Sequence, residues 1–344
     1  MKKLIVTADD YGVIPSVNKG ILNAVHQELV NSVAVFANYD GSGKNGEKKY
    51  PSSKENVETL LNRYGSKVDV GCHLTITSGK SITGRENIGF LVDEDNYFHD
   101  FKKITYVNSA SAKEAIKAEL IAQVKELEKV QGCKVKHLTN HHDSLTFFPA
   151  YYDAYLAAAA ELKLPIRSPD IRPANKPRNY REIVRSLLIF TGQPKSVRKE
   201  VTDFGKIIRQ YFIDTNDNVR TTSYMDSSHY GPAPILMKVK PIDLQNFTRK
   251  KNNALEEALS NFAQDEQAEI MELMLHLCDD DIAAINTYSD LDYPGIDPNY
   301  FGGRIAEFHS IMEFDFEASL RETQIEYARW DAAAVIPGGD NDLA

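Results

Sequence analysis

The chain has 344 residues, 42% of them hydrophobic, which is enough for a large buried core in one or two domains. Its formal charge is −9 and its pI about 5.6, so it lacks the basic stripe of a nucleic-acid footprint. No apolar run approaches the roughly 18 residues of a membrane span. The three cysteines, Cys72, Cys133 and Cys278, form no CxxC pair and read as the reduced thiols of a cytoplasmic protein.

In chain order, Met1-Lys2-Lys3 leads into the apolar run Leu4 to Ala8, too short for a signal peptide and suited to a fully buried strand. Asp9-Asp10-Tyr11-Gly12 then reads as a strand-to-helix loop. Ser16 is the expected N-cap, with Val17, Ile21, Leu22 and Val25 at helical spacing. Residues 32–37 predict a second strand, 55–64 a helix, and 68–73 a strand ending in His73. Residues 112–130 predict a strong helix and 135–138 a strand closed by Asn140-His141-His142-Asp143. A helix over 149–162 and a short strand over 164–167 follow. Residues 169–177 are proline-rich, and 180–213 look helical and basic. The stretch 170–235 reads as an insertion over one end of the sheet. Residues 270–275 form a late strand closed by His276. Residues 1–330 are expected to form one domain and 331–344 a flexible tail.

Alternating strands and helices predict a mostly parallel sheet with crossover helices. Each polar cluster falls at the C-terminal end of a strand, where barrels and open α/β sheets alike place their ligands.

Two adjacent carboxylates after a buried strand disfavour each other's ionisation unless a cation is near. In an extended chain Asp9 and Asp10 would point opposite ways, one toward a metal and one toward substrate. His73, His141 and His142 supply imidazoles, and Asp143 a further carboxylate. Two histidines and a carboxylate suit a hydrolytic metal site or an oxygenase-type iron site. The chain has no GxGxxG, P-loop or GxSxG signature, which favours metal-assisted hydrolysis. Tyr11, Phe147 and Phe148 adjoin these motifs and offer aromatic surfaces for a sugar.

Thr7-Ala8-Asp9-Asp10-Tyr11-Gly12, with Asn18 and Gly20-Ile21, resembles the opening of the YdjC-like carbohydrate deacetylases, a family that includes chitooligosaccharide deacetylases. Gly71 to Thr75, His137 to His142 and Glu272 to His276 resemble its later motifs, and Arg304 with Glu307 matches a charged pair that follows. The resemblance implies a distorted TIM-like (β/α) barrel, here with an insertion in its second half. It implies a divalent metal held by Asp10, His73 and His141. That metal is Mg2+ in the family, although two imidazoles also suit Zn2+. It further implies Asp9 as general base, His276 as acid, and Arg167 orienting the substrate, a small carbohydrate. Two departures stand out: Asp143-Ser144-Leu145 replace further histidines, and Leu277-Cys278 replace Pro-Gly after the last one. Another metal-dependent hydrolase on the same barrel, or a sugar-binding protein without catalysis, remains open, as does a homodimer. Catalysis through Cys72 or Cys278 is disfavoured because both lie in apolar surroundings.

Overall fold

The structure is a computed structural model that describes residues 1–12, 14–42, 50–99, 103–104, 107–172, 194–216, 218–226, 241–280 and 298–334. The expected proline-rich loop beyond Arg172, the start of the basic helix and most of the predicted tail lie outside the described residues.

An eight-stranded sheet organises the fold. Its strands are β1 (Lys2–Tyr11), β2 (Ser32–Val35), β3 (Asp69–Leu74), β4 (Leu138–Asn140), β5 (Ile171–Arg172), β6 (Tyr224–Asp226), β7 (Ile270–Leu275) and β8 (Ile325–Tyr327). The order is β4-β3-β2-β1-β7-β6-β5, with β8 beside the start of β1, and the strand pairs are parallel. Parallel bridges from Leu138 to Ile166 and from Ile166 to Thr221 carry the sheet round from β4 toward β6. The result is the distorted TIM-like barrel that the resemblance implied. β1 is apolar on both faces, with Leu4, Ile5, Val6 and Ala8 fully buried, as a central parallel strand requires.

Helices pack outside this ring. α1 (Pro15–His26) starts on a proline, which needs no N–H partner in the first turn, so Ile14 rather than Ser16 is the N-cap. α2 (Ser53–Tyr64) begins in a capping box between Ser52 and Glu55. α3 (Arg85–Ile88) is a single turn, and α4 (Ala110–Glu128) and α5 (Pro149–Leu162) cover β3 and β4. α6 (Lys195–Thr215) buries Val201, Phe204, Ile208 and Phe212, and its Tyr211 donates to Asp153 of α5. α7 (Pro241–Gln264), α8 (Pro298–Glu313) and α9 (Phe316–Thr323) follow.

Three sequence expectations shift. β1 continues through Asp9, Asp10 and Tyr11 instead of ending at Ala8. β5 and β6 lie inside the stretch expected to be an insertion. The tail does not begin at Asp331: Ala334 bridges Thr221 and Trp330 is fully buried. Its indole stacks on His137, 4.4 Å between centroids, and donates to Ser32 Oγ.

Candidate metal and hydrolytic site

The site begins with a backbone irregularity in β1. Ala8 pairs with Val33 but Tyr11 pairs with Val35, so β1 carries one extra residue at Asp9-Asp10. Asp10 takes the left-handed φ of 69°. A bulge of this kind re-aims side chains that a regular strand would send to opposite faces. Both carboxylates therefore reach one region: Asp9 Oδ2 and Asp10 Oδ2 each lie 4.0 Å from His276 Nε2. The expected opposition of the two aspartates is thus corrected by the bulge.

Asp10 Oδ1, His73 Nε2 and His141 Nδ1 converge. The separations are 3.1 Å from the carboxylate oxygen to each nitrogen and 3.3 Å between the nitrogens. For ligand atoms about 2.1 Å from a common centre, neighbours stand about 3.0 Å apart in an octahedron and about 3.4 Å in a tetrahedron. Asp10 Oδ1 is buried yet accepts no hydrogen bond. The donor set and its spacing therefore fit one small divalent cation, and the three are the group among the described residues able to hold it.

Each ligand is fixed from behind. His73 Nδ1 meets Thr139 Oγ1 at 2.7 Å. Phe36 places its ring edge-on to both imidazoles, 4.8 Å from each centroid. Arg304 of α8 donates to Asp10 Oδ2. His141 opens a tight turn in which His142 and Asp143 hold left-handed φ values of 57° and 48°. Such backbone persists only where surroundings over-determine it. Here Ser144 Oγ donates to the His141 carbonyl and Thr146 Oγ1 to the Asp143 carbonyl.

The electrostatics follow from burial and two arginines. Burial pushes the Asp10 carboxyl up, but Arg304 and His141 outweigh it and hold it well below the usual range. Burial likewise opposes Asp9, and Arg167 with His73 brings it down. Burial, helped by Arg304, depresses His276 to about 3. Burial also lowers His141, against the pull of Asp10. Two carboxylates thus stand beside neutral imidazoles whose lone pairs are available.

The predicted residues do not all meet here. Arg167 is buried, and its guanidinium forks onto both oxygens of Asp9 at 2.6 and 2.9 Å and also donates to Glu272. Tyr11 is fully buried, its hydroxyl donating to the Asn56 carbonyl at 3.3 Å. Phe148 is equally buried, against Tyr151. His276 follows β7, its backbone N–H donating to Glu307 Oε2 at 2.6 Å, with Lys251 bracing that carboxylate at 3.1 Å. Glu272 and Thr139 lie inside the motifs Glu272 to His276 and His137 to His142 without a role of their own there, although a lone glutamate in the apolar run Ile270–Leu275 is itself a signal.

A family model described as YdjC-like protein matches residues 3–322. A carbohydrate deacetylase of Thermoanaerobacter pseudethanolicus is 26% identical over 202 residues, covering 58% of this chain and 73% of that protein. One from Brevibacillus brevis is 29% identical over 167 residues, covering 48% of this chain and 59% of its own length. The matched stretch is thus less than two thirds of that second relative. A crystal structure from Enterococcus faecalis, provisionally described as a cellobiose-phosphate cleavage protein, superposes with a TM-score of 0.63. It has 20% sequence identity, and the superposition covers 96% of this chain and 98% of that one, a likeness of fold.

Proposed function

Since the chain belongs to the YdjC-like protein family, we propose that it is a metal-dependent carbohydrate deacetylase. It would hydrolyse the N-acetyl group of a small amino sugar or chitooligosaccharide in the cytoplasm. The observation that carries this reading is the convergence of Asp10, His73 and His141 beside Asp9 and His276. The relatives named carbohydrate deacetylase support the same chemistry.

Asp10, His73 and His141 would hold the metal, Mg2+ in the first instance and Zn2+ as the alternative that two imidazoles suit. When bound, such an ion polarises an acetamide carbonyl and acidifies water. Asp9 then accepts the proton of the attacking water. Its carboxylate is suited to this because Arg167 holds it ionised and fixed through both oxygens. The carbon–nitrogen bond breaks, and the departing nitrogen needs a proton. His276 delivers it. As a neutral imidazole it must first receive one, and Asp9 Oδ2 at 4.0 Å from its Nε2 is the nearby source. The proton taken from water thus reaches the amine through Asp9 and His276. Each such acid or base step contributes roughly a hundred- to ten-thousand-fold. Arg167 serves here as the partner of Asp9 rather than as a substrate contact.

Acetate release from N-acetylated mono- and disaccharides, with Mg2+, with Zn2+ and with chelator, tests the reading. Release that the chelator abolishes and either metal restores is expected. No release from any sugar by protein that binds the metal would overturn it.

A further inference from the structure

β7 is apolar except at Glu272, which is completely buried. A carboxylate in such a place is tolerated only where a partner compensates it. That partner is Arg167, whose Nε and Nη2 donate to Glu272 Oε1 across 3.1 and 2.8 Å. The same guanidinium donates through Nη1 and Nη2 to Asp9 Oδ2 and Oδ1 across 2.6 and 2.9 Å. Arginine is planar and carries its five N–H bonds in a fixed fork. One edge on Glu272 and another on Asp9 therefore fix both its plane and its rotation. With the Glu272 edge alone removed, Arg167 could still meet Asp9 but would swivel about that pair, and the carboxylate would swivel with it.

The placement is specific to this task. Glu272 pairs in register with Ile5 on β1, the strand that carries Asp9. It also lies four residues before His276, the residue that directly follows the end of the same strand. The partner of Arg167 and the residue proposed as acid thus come from one strand and the residue that follows it.

We propose that Glu272 is a positioning residue for the general base: by locking Arg167, it sets the direction in which Asp9 presents its carboxylate to water. The chemical role rests on the deacetylase reading above, whereas the locking of Arg167 can be measured without any substrate.

Glu272→Met removes the acceptor at similar size, and Glu272→Gln retains an acceptor oxygen without the charge. In 15N-labelled protein the Arg167 Nε–H signal, identified by its loss in Arg167→Lys, reports the lock directly. Glu272→Met is expected to speed its hydrogen exchange about tenfold, the loss of one ordinary hydrogen bond, and Glu272→Gln to keep it slow. Glu272→Met is expected to lower kcat about a hundredfold, the scale of a misplaced reacting group. KM and affinity for Zn2+ are expected to stay near wild type, and Glu272→Gln to restore most of kcat. Unchanged exchange in Glu272→Met, or a parallel loss of kcat, KM and Zn2+ affinity in both variants, would overturn the proposal. A wild type that releases no acetate while its Nε–H responds as expected would count against the deacetylase reading and leave the lock standing.

Discussion

His73 Nδ1 and Thr139 Oγ1 meet at 2.7 Å across β3 and β4, and this contact decides which nitrogen of His73 faces Asp10. The tautomer in which Nδ1 donates to the hydroxyl is the one that leaves the lone pair on Nε2, 3.1 Å from Asp10 Oδ1. An imidazole that ligates a metal is commonly held through its second nitrogen in this way. Thr139→Val keeps the shape and removes the acceptor. Affinity for Zn2+ should fall about 10- to 100-fold, read by competition with a chelating dye. An unchanged affinity would mean that His73 is oriented by packing against Phe36 alone.

Asp9→Asn separates metal holding from proton transfer. Asp9 is not among the converging ligand atoms, so the variant should bind metal as the wild type does. Its amide cannot accept the proton of water, and turnover should drop by roughly a hundred- to ten-thousand-fold. Steady-state acetate release with metal content measured on the same sample checks both halves. Near-normal turnover would remove Asp9 from the role of base.

The loop after β3 depends on one buried carboxylate. Glu119 of α4 is fully buried and accepts from Ser81 Oγ, Thr83 Oγ1, Gln123 Nε2 and the backbone N–H groups of Ile82 and Thr83. Glu119→Leu leaves the two N–H groups without an acceptor, at a cost of about 1–3 kcal/mol each. Urea unfolding should show a loss of about 3 kcal/mol or more. The loop also carries Thr77, whose hydroxyl stands 3.2 Å from His142 Nδ1, so activity should decline as well.

Gly71 in β3 makes room for a ring. A Cβ there would stand 2.2 Å from His137 ring atoms. His137 cannot withdraw, because it stacks on Trp330 with planes 5° apart and meets Ser32 Oγ at 3.3 Å. Gly71→Ala should destabilise by about 1–3 kcal/mol through overpacking, visible as a lower urea midpoint with an unchanged slope.

Much of this was legible in the sequence because it depends on local pattern. The strands announce themselves as short apolar runs, and Asp10, His73, His141 and His276 as polar residues within one position of their C-terminal ends. α5 spans Pro149–Leu162, the limits that its alanine- and tyrosine-rich pattern sets. What stayed hidden depends on register and on distant pairing. The extra residue at Asp9-Asp10 is a mismatch between β1 and β2, and neither strand alone reveals it. Arg167 was expected to orient substrate. It stands instead on Asp9, a partner 158 residues away that only barrel closure brings near. Tyr11 adjoins the motif in sequence but is buried, its hydroxyl donating to the Asn56 carbonyl, a contact 45 residues away. In sequence Arg304 is one of a charged pair following His276, but its grip on Asp10 joins residues 294 positions apart and so depends on tertiary packing.

The most direct test of the central claim is an equilibrium titration of Zn2+ into chelator-stripped protein, with Asp10→Ala, His73→Ala and His141→Ala beside the wild type. Convergence of these three side chains on one point predicts a single tight site per chain, lost or weakened at least about 10-fold in every variant. If the wild type bound no ion, or if the three variants bound it as tightly, the cluster would not be a metal centre.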